Sequence, residues 1–307
     1  MHFFLSLIVI MDKKIKKKIV KDYSYPNPND ENLQEKIFKK REFYYHRIPR
    51  REILETDDEI QKYRDENCPD EIDFELKEHQ KIITNLLSPH TPYDGILLMY
   101  GTGTGKTASA ISIAEQFKEQ IKKYNTKIYV LVPGPNTREN FKKELVFTTG
   151  ETYIKNKRIL EQMTKNDKER EYKIGVYGAL QFYKLLSYKT FYRKVLGEKI
   201  AEKRLEGDKI IRTFKKTDDG EIERELVVDR INNMDNSIII VDEAHNLTGN
   251  EYGEALIKIR KVSKNLKIIL LSATPMKNLA SDIVDLINFI RPIDKPIKND
   301  LIFTSDK

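Results

Sequence analysis

"GILLMYGTGTGKTAS", residues 95–109, is the stretch whose reading decides the fold. A short apolar run enters a turn containing Gly101, Gly103 and Gly105. Apolar residues then recur at helical spacing through "KTASAISIAEQFKEQI". A strand, a glycine-rich turn and a helix in that order aim successive backbone N–H groups into one concavity. The helix N-terminus adds partial positive charge, and the result is a cradle for phosphate. Gly101, Thr102, Gly103, Thr104 and Gly105 form the cradle. Lys106 reaches the β- and γ-phosphates, and the Thr107 hydroxyl is placed to ligate Mg²⁺. ATP and Mg²⁺ are therefore the expected ligands. The strict pattern has glycine at position 100, where this chain has Tyr100; the lysine assignment does not depend on it.

Outward from this stretch the pattern alternates. "LKEHQKIITNLL" reads as a helix, "KIYVLV" as a strand and "NTRENFKKELVF" as a helix. "YKIGVY" reads as a strand followed by the helical "GALQFYKLL". "SIIIV" and "LKIILL" are two further strands, and "LASDIVDLINFI" is a closing helix. Continuous apolar strands separated by amphipathic helices predict an α/β fold, a parallel sheet covered by helices on both faces. Residues 188–235 break the rhythm with dense charge and read as an insertion on the surface. Within them, "KIIRTFKKTDDGEIERELVV" suggests a hairpin turning at Asp219-Gly220.

A second site signal is "IIIVDEAHNL", residues 238–247. A strand delivers Asp242 and Glu243 at its carboxyl end, where ligands of open parallel sheets bind. Asp242 would hold Mg²⁺ together with Thr107, and Glu243 would orient or deprotonate the attacking water. His245 can couple the site to its neighbours. Three weaker signals follow the same order. Gln80 can read an adenine edge or be a surface glutamine. Thr137 and Arg138 follow a strand and can touch a nucleic-acid backbone; capping of a helix by Asn136 or Thr137 accounts equally for that stretch. Ser272 and Thr274, in "SATP", offer hydroxyls that can relay nucleotide state.

The 307 residues include 55 basic and 48 acidic side chains, a net charge of +7. The sequence pI is about 9.0 and the mean hydropathy −0.59. A mild basic excess suits a polyanion partner. The single cysteine, Cys68, excludes an intrachain disulfide, and the five histidines show no zinc-ligand spacing. "MHFFLSLIVI" at residues 1–10 is too short for a membrane span and lacks the flanks of a signal peptide. Met11 is a plausible true start, so residues 1–10 are expected to lie outside the native protein, with membrane attachment as the lesser alternative. Residues 1–72 form a charged extension in which aromatics alternate with Lys and Arg, as in "KIFKKREFYYHR". Stacking on bases is one account of these aromatics; packing onto the rest of the protein with the charges solvated is the preferred one.

The order phosphate loop, DEAH, SAT resembles the first RecA-like lobe of a superfamily 2 helicase or translocase. "SATPMKNLASDIVDLINFIRP", "RENFKKEL" and "VYGALQF" resemble the Swi/Snf-like group, and within it the early-transcription ATPases of poxviruses and other large DNA viruses. The resemblance covers about residues 73–292, within a lobe taken as 73–307. It implies nucleic-acid-stimulated ATP hydrolysis, with DNA expected over RNA. It also implies RNA polymerase as a partner, no membrane, and an intracellular setting in host cytoplasm or virion. The family's second RecA-like lobe, which brings the arginines that complete the nucleotide site, is expected in trans or on further sequence. The contrasting expectation is a single lobe that docks nucleic acid or a polymerase and binds ATP without efficient turnover.

Overall fold

The computed structural model describes residues 25–302 apart from 29, 48–55, 68–74, 102, 155–162, 207–208, 216–223, 226–228, 275 and 277–278. The readings made on residues 1–10, on Thr102 and on the turn at Asp219-Gly220 lie outside the described residues. The chain divides into two compact units, Met1–Tyr93 and Asp94–Lys307.

Among its described residues the first unit carries four helices: α1 (Leu33–Phe38), α2 (Arg41–Tyr44), α3 (Asp57–Asn67) and α4 (Glu78–Leu86). Phe43 of α2 is buried. Asn85 of α4 donates to the Glu42 carbonyl at 3.1 Å, and His46 Nδ1 lies 2.6 Å from Glu78 Oε2. These links place α4 with the charged extension, so the compact units meet at 93/94 whereas sequence reading divides the chain at 72/73.

The second unit is built on β1 (Gly95–Met99), α5 (Lys106–Gln116), α6 (Lys118–Tyr124), β2 (Ile128–Val132), α7 (Pro135–Thr149), α8 (Lys165–Leu180) and β3 (Tyr183–Ser187). It continues through α9 (Tyr188–Leu196), the short strands β4 (Glu198–Lys199), β5 (Ala201–Glu206), β6 (Lys209–Phe214) and β7 (Arg224–Glu225), then β8 (Ile238–Val241), α10 (Glu251–Val262), β9 (Lys267–Ser272) and α11 (Asp282–Asn288). Five strands form one sheet in the order β1-β9-β8-β2-β3, and all its pairings are parallel.

Alternate residues of each strand point to opposite faces. Leu131, Ile239, Val241, Ile268 and Leu270 face a core made with Tyr188, Phe191 and Val195 of α9, Leu256 and Ile259 of α10, and Leu286 of α11. Val130, Val132, Ile240, Ile269 and Leu271 are buried on the other face, where α5 and α7 bring Ile111, Ile113, Phe141 and Leu145. Covering on both faces is why "IIIV" carries no polar alternation. This is the doubly covered α/β lobe expected from the sequence. Its phosphate-loop helix is tethered at its far end: Glu115 of α5 accepts from Tyr183 Oη at 2.8 Å, Tyr153 Oη at 3.0 Å and Lys118 Nζ at 2.7 Å.

Two expectations are corrected. "YKIGVY" is helical, the later part of α8, and the third strand is "YKLLS". Thr164 caps α8 by accepting from Asp167 N. A Cβ on Gly175 would come within 2.6 Å of Ile154, so that glycine marks a close approach to the helix and not a break. The insertion also begins later than residue 188. α9 is capped by Ser187, which accepts from Thr190 N at 3.1 Å, and it buries Tyr188, Phe191, Tyr192 and Val195. Only beyond Leu196 does the chain leave the lobe's core pattern. There β6 pairs antiparallel with β5, Lys209 opposite Glu206.

Candidate nucleotide site

The carboxyl ends of β1, β8 and β9 lie side by side, since β9 pairs with both others. After β1 the chain turns through Gly103 and Gly105 at φ +76° and +82°. No neighbour lies within 4 Å of a Cβ placed on Gly103, so backbone conformation and not space demands glycine there. Gly105 is the N-cap of α5. The Lys106 ammonium is folded back onto the loop, 3.1 Å from the Tyr100 carbonyl and 3.5 Å from that of Gly101. Thr104 Oγ1 donates to the same Gly101 carbonyl at 2.8 Å. Thr107 is half-buried in the first turn of α5.

At the end of β8, Asp242 N donates to the Leu131 carbonyl at 2.9 Å and carries the ladder one residue further. Asp242 is 9% exposed. Burial raises its carboxyl to about 6, the Glu243 charge adds to the rise, and the Lys106 charge opposes it. Glu243 takes a left-handed conformation, φ 55°, which non-glycine residues adopt at a cost and which clusters at functional sites. Three side-chain bonds hold this turn. Tyr188 Oη donates to the carbonyls of Asp242 and of Glu243, the latter at 3.1 Å, and Asn246 Nδ2 donates to Glu243 O at 3.1 Å. Burial pushes the Tyr188 phenol well up, reinforced by the two carboxylates, so it stays a donor.

His245 joins the DEAH turn to β9. Its Nδ1 is 3.0 Å from Ser272 Oγ and 3.4 Å from both Glu243 Oε2 and Thr274 Oγ1. Ser272 Oγ spends its proton on the Thr274 carbonyl at 2.8 Å. It must therefore accept from His245, which assigns the imidazole proton to Nδ1 and leaves Nε2 as the acceptor in the neutral ring.

Among the described residues no group of three His, Cys, Asp or Glu could hold a metal by itself. A lone acidic pair beside a lysine-bearing loop still fits a hard cation whose other oxygen ligands are phosphates and waters, the way Mg²⁺ is usually carried. Lys106, Asp242, Glu243, His245, Ser272 and Thr274 thus converge. Thr137 and Arg138 lie at the same end of the sheet, after β2. Their helix α7 opens with Gly134 as N-cap and Pro135 at its first position, with no side-chain cap, so capping does not account for Thr137. Arg138 Nε is buried without a hydrogen-bond partner among the described residues. Gln80 lies in the first unit, buried, accepting from Lys77 N at 2.8 Å. Tyr188 was not foreseen. It directly follows the third strand, and placing that strand at "YKIGVY" hid it.

Fold and site define a phosphate-loop nucleotide-binding lobe. Residues 73–277 match the ResIII family, the type III restriction enzyme res subunit, and the chain belongs to that family through a helicase ATP-binding domain. It is 48% identical over 296 residues to "Putative ATP-dependent RNA helicase L377" of Acanthamoeba polyphaga mimivirus, covering 95% of this chain and 26% of that protein. It is 32% identical to "Putative helicase 087L" of invertebrate iridescent virus 3, over 70% of this chain and 20% of the relative. A 66-residue stretch, 22% of this chain and 10% of the relative, is 36% identical to the "Early transcription factor 70 kDa subunit" of Melanoplus sanguinipes entomopoxvirus. The chain thus spans about a quarter or less of these relatives. The Pyrococcus furiosus Hef helicase domain superposes with a TM-score of 0.38 at 18% identity, covering 69% of this chain and 35% of that one. The expected resemblance to helicases of large DNA viruses is matched by these relatives. No described helix is long and apolar enough to cross a membrane.

Proposed function

We propose that this chain is the ATP-binding lobe of a nucleic-acid-dependent ATPase of the helicase or translocase type, with MgATP as substrate and DNA preferred over RNA. The observation that carries the reading is the convergence of Lys106, the Asp242–Glu243 pair and the His245–Ser272–Thr274 chain at three adjacent strand ends. In this reading Lys106 leaves the carbonyls of Tyr100 and Gly101 for the β- and γ-phosphates, while loop N–H groups bind the same oxygens. Thr107 and Asp242 hold Mg²⁺, whose chemistry is to neutralise charge on the phosphates. Glu243 orients the attacking water and accepts its proton. His245 senses the state of Glu243 and passes it to Ser272 and Thr274, which follow β9. Thr137 and Arg138 contact the nucleic-acid backbone, an assignment supported by their place in the first turn of α7, directly after β2.

The reading further assigns the lobe to a viral protein that acts with RNA polymerase inside the infected cell or virion, in keeping with the viral relatives and the transcription-factor name of one of them. A second RecA-like lobe supplies the arginines. Without such a group turnover falls by about 10³ to 10⁵, so this chain by itself binds MgATP and hydrolyses it slowly. The test is nucleotide binding and phosphate release by the purified chain and by Lys106→Ala, with and without DNA or RNA. Tight binding that the variant loses, with slow release, is expected. Binding indifferent to Lys106, or fast release that the variant abolishes, would overturn the reading in its first or second part.

A further inference from the structure

The first unit carries aromatic side chains that the nucleotide site does not use. Residues 36–47 hold five cations, Lys36, Lys39, Lys40, Arg41 and Arg47, and one carboxylate, Glu42; Lys36 and Lys39 pair with Asp30 and Glu35 before the stretch, and Glu42 accepts from Tyr25 Oη at 2.6 Å. Phe43 is pinned inside, 2% exposed, while Phe38, Tyr44 and Tyr45 are 56%, 53% and 79% exposed. Packing inward therefore accounts for Phe43 alone. The Arg47 guanidinium lies over the Tyr44 ring, 4.5 Å from its centroid. Arg41 is exposed. Three large rings turned to water over eight residues, one of them under the Arg47 guanidinium, are costly to solubility unless something covers them. Unpaired bases have a flat face for each ring and a phosphate for each cation.

We propose that α1 and α2 present a stacking surface for a single strand of nucleic acid, with Phe38, Tyr44 and Tyr45 as base platforms and Arg41 and Arg47 beside the phosphates. This rests on the reading of the chain as a nucleic-acid-dependent lobe, to which it adds a contact outside the nucleotide-binding unit. Stacking is indifferent to base identity, so the surface holds the strand without reading its sequence.

The sequence contains no tryptophan, so Tyr45→Trp in the full chain is a unique reporter at an exposed position. It is titrated with oligothymidylate and, separately, oligouridylate of about 16 nucleotides, the upper end of the span one single-strand-binding fold covers. Quenching of the emission with either strand, weakened as salt rises, is expected; the two arms show which sugar is preferred. The paired variant Phe38→Ala/Tyr45→Ala should lose at least about tenfold in affinity for a labelled strand while keeping its melting temperature and ATP affinity. Emission unchanged while anisotropy shows the strand bound would overturn the stacking surface and leave the ATPase reading standing. Quenching by duplex alone, or no strand bound by a chain that still binds ATP, would also overturn it. A chain that fails to bind ATP would instead count against the ATPase reading, which the emission titration does not test.

Discussion

Tyr188 shows how much of the candidate site can rest on one buried hydroxyl. Its hydroxyl holds two consecutive carbonyls, those of Asp242 and Glu243, and so fixes the direction in which both carboxylates leave the backbone. Tyr188→Phe keeps the ring's packing and removes only the donor. It should lower stability by about 1–2 kcal/mol in chemical denaturation and slow ATP hydrolysis, with ATP affinity within about twofold of wild type. Unchanged hydrolysis would show that the turn keeps its shape without the bond. Asp242 gives a pH prediction. Its carboxyl sits at about 6 in the folded chain, above the ordinary 3.8, so the folded state holds its proton more tightly than the unfolded state. The cost of the buried charge is fully present above pH 6 and is relieved as pH falls toward 4. In the absence of ligand Asp242→Asn should therefore raise the melting temperature at pH 7.5, by up to about 3 kcal/mol in stability. The gain should shrink on lowering the pH to 5. A gain that grows on acidification would contradict the assigned sign.

At the scale of elements, helix α10 is seated against the turn that carries the acidic pair. A Cβ on Gly253 would meet the Leu247 carbonyl at 2.3 Å and the Phe289 ring at 2.9 Å. The carbonyl is backbone and cannot swing away. Gly253→Ala should thus cost about 1–3 kcal/mol, despite alanine's better helix propensity, and it should weaken MgATP binding because Leu247 ends the turn begun at Ala244. A melting temperature at or above wild type would show that α10 can slide. The same scale explains what the sequence disclosed. The loop at Gly101–Lys106 and the strand leading into Asp242 are local patterns, complete within fifteen residues, and they could be read directly. "YKIGVY" could not. Its tyrosines, isoleucine and valine favour strands, its glycine looks like punctuation, and only the distant Ile154 shows that Gly175 belongs inside a helix. The bond network of Tyr188, His245 and Ser272 was equally hidden, because it joins residues 27 to 55 positions apart.

For the whole molecule, the order β1-β9-β8-β2-β3 has a consequence for the chain's birth on the ribosome. Among the described residues β1, which launches the phosphate loop, pairs only with β9, and Gly95 is matched to Ile268. At about 5–20 residues per second of synthesis, β1 waits on the order of ten seconds or more for its neighbour to emerge. Until then its apolar edge has no native partner and is exposed to chaperones or to aggregation. Nascent chains arrested before β9 has left the exit tunnel should be cut by protease within β1, and chains arrested well after it should resist. Protection of the earlier chains would mean that β1 is sheltered by something other than its sheet. The candidate site, assembled from β1 and β9, the first and last described strands of the sheet, is then complete only in a chain whose synthesis has passed Ser272.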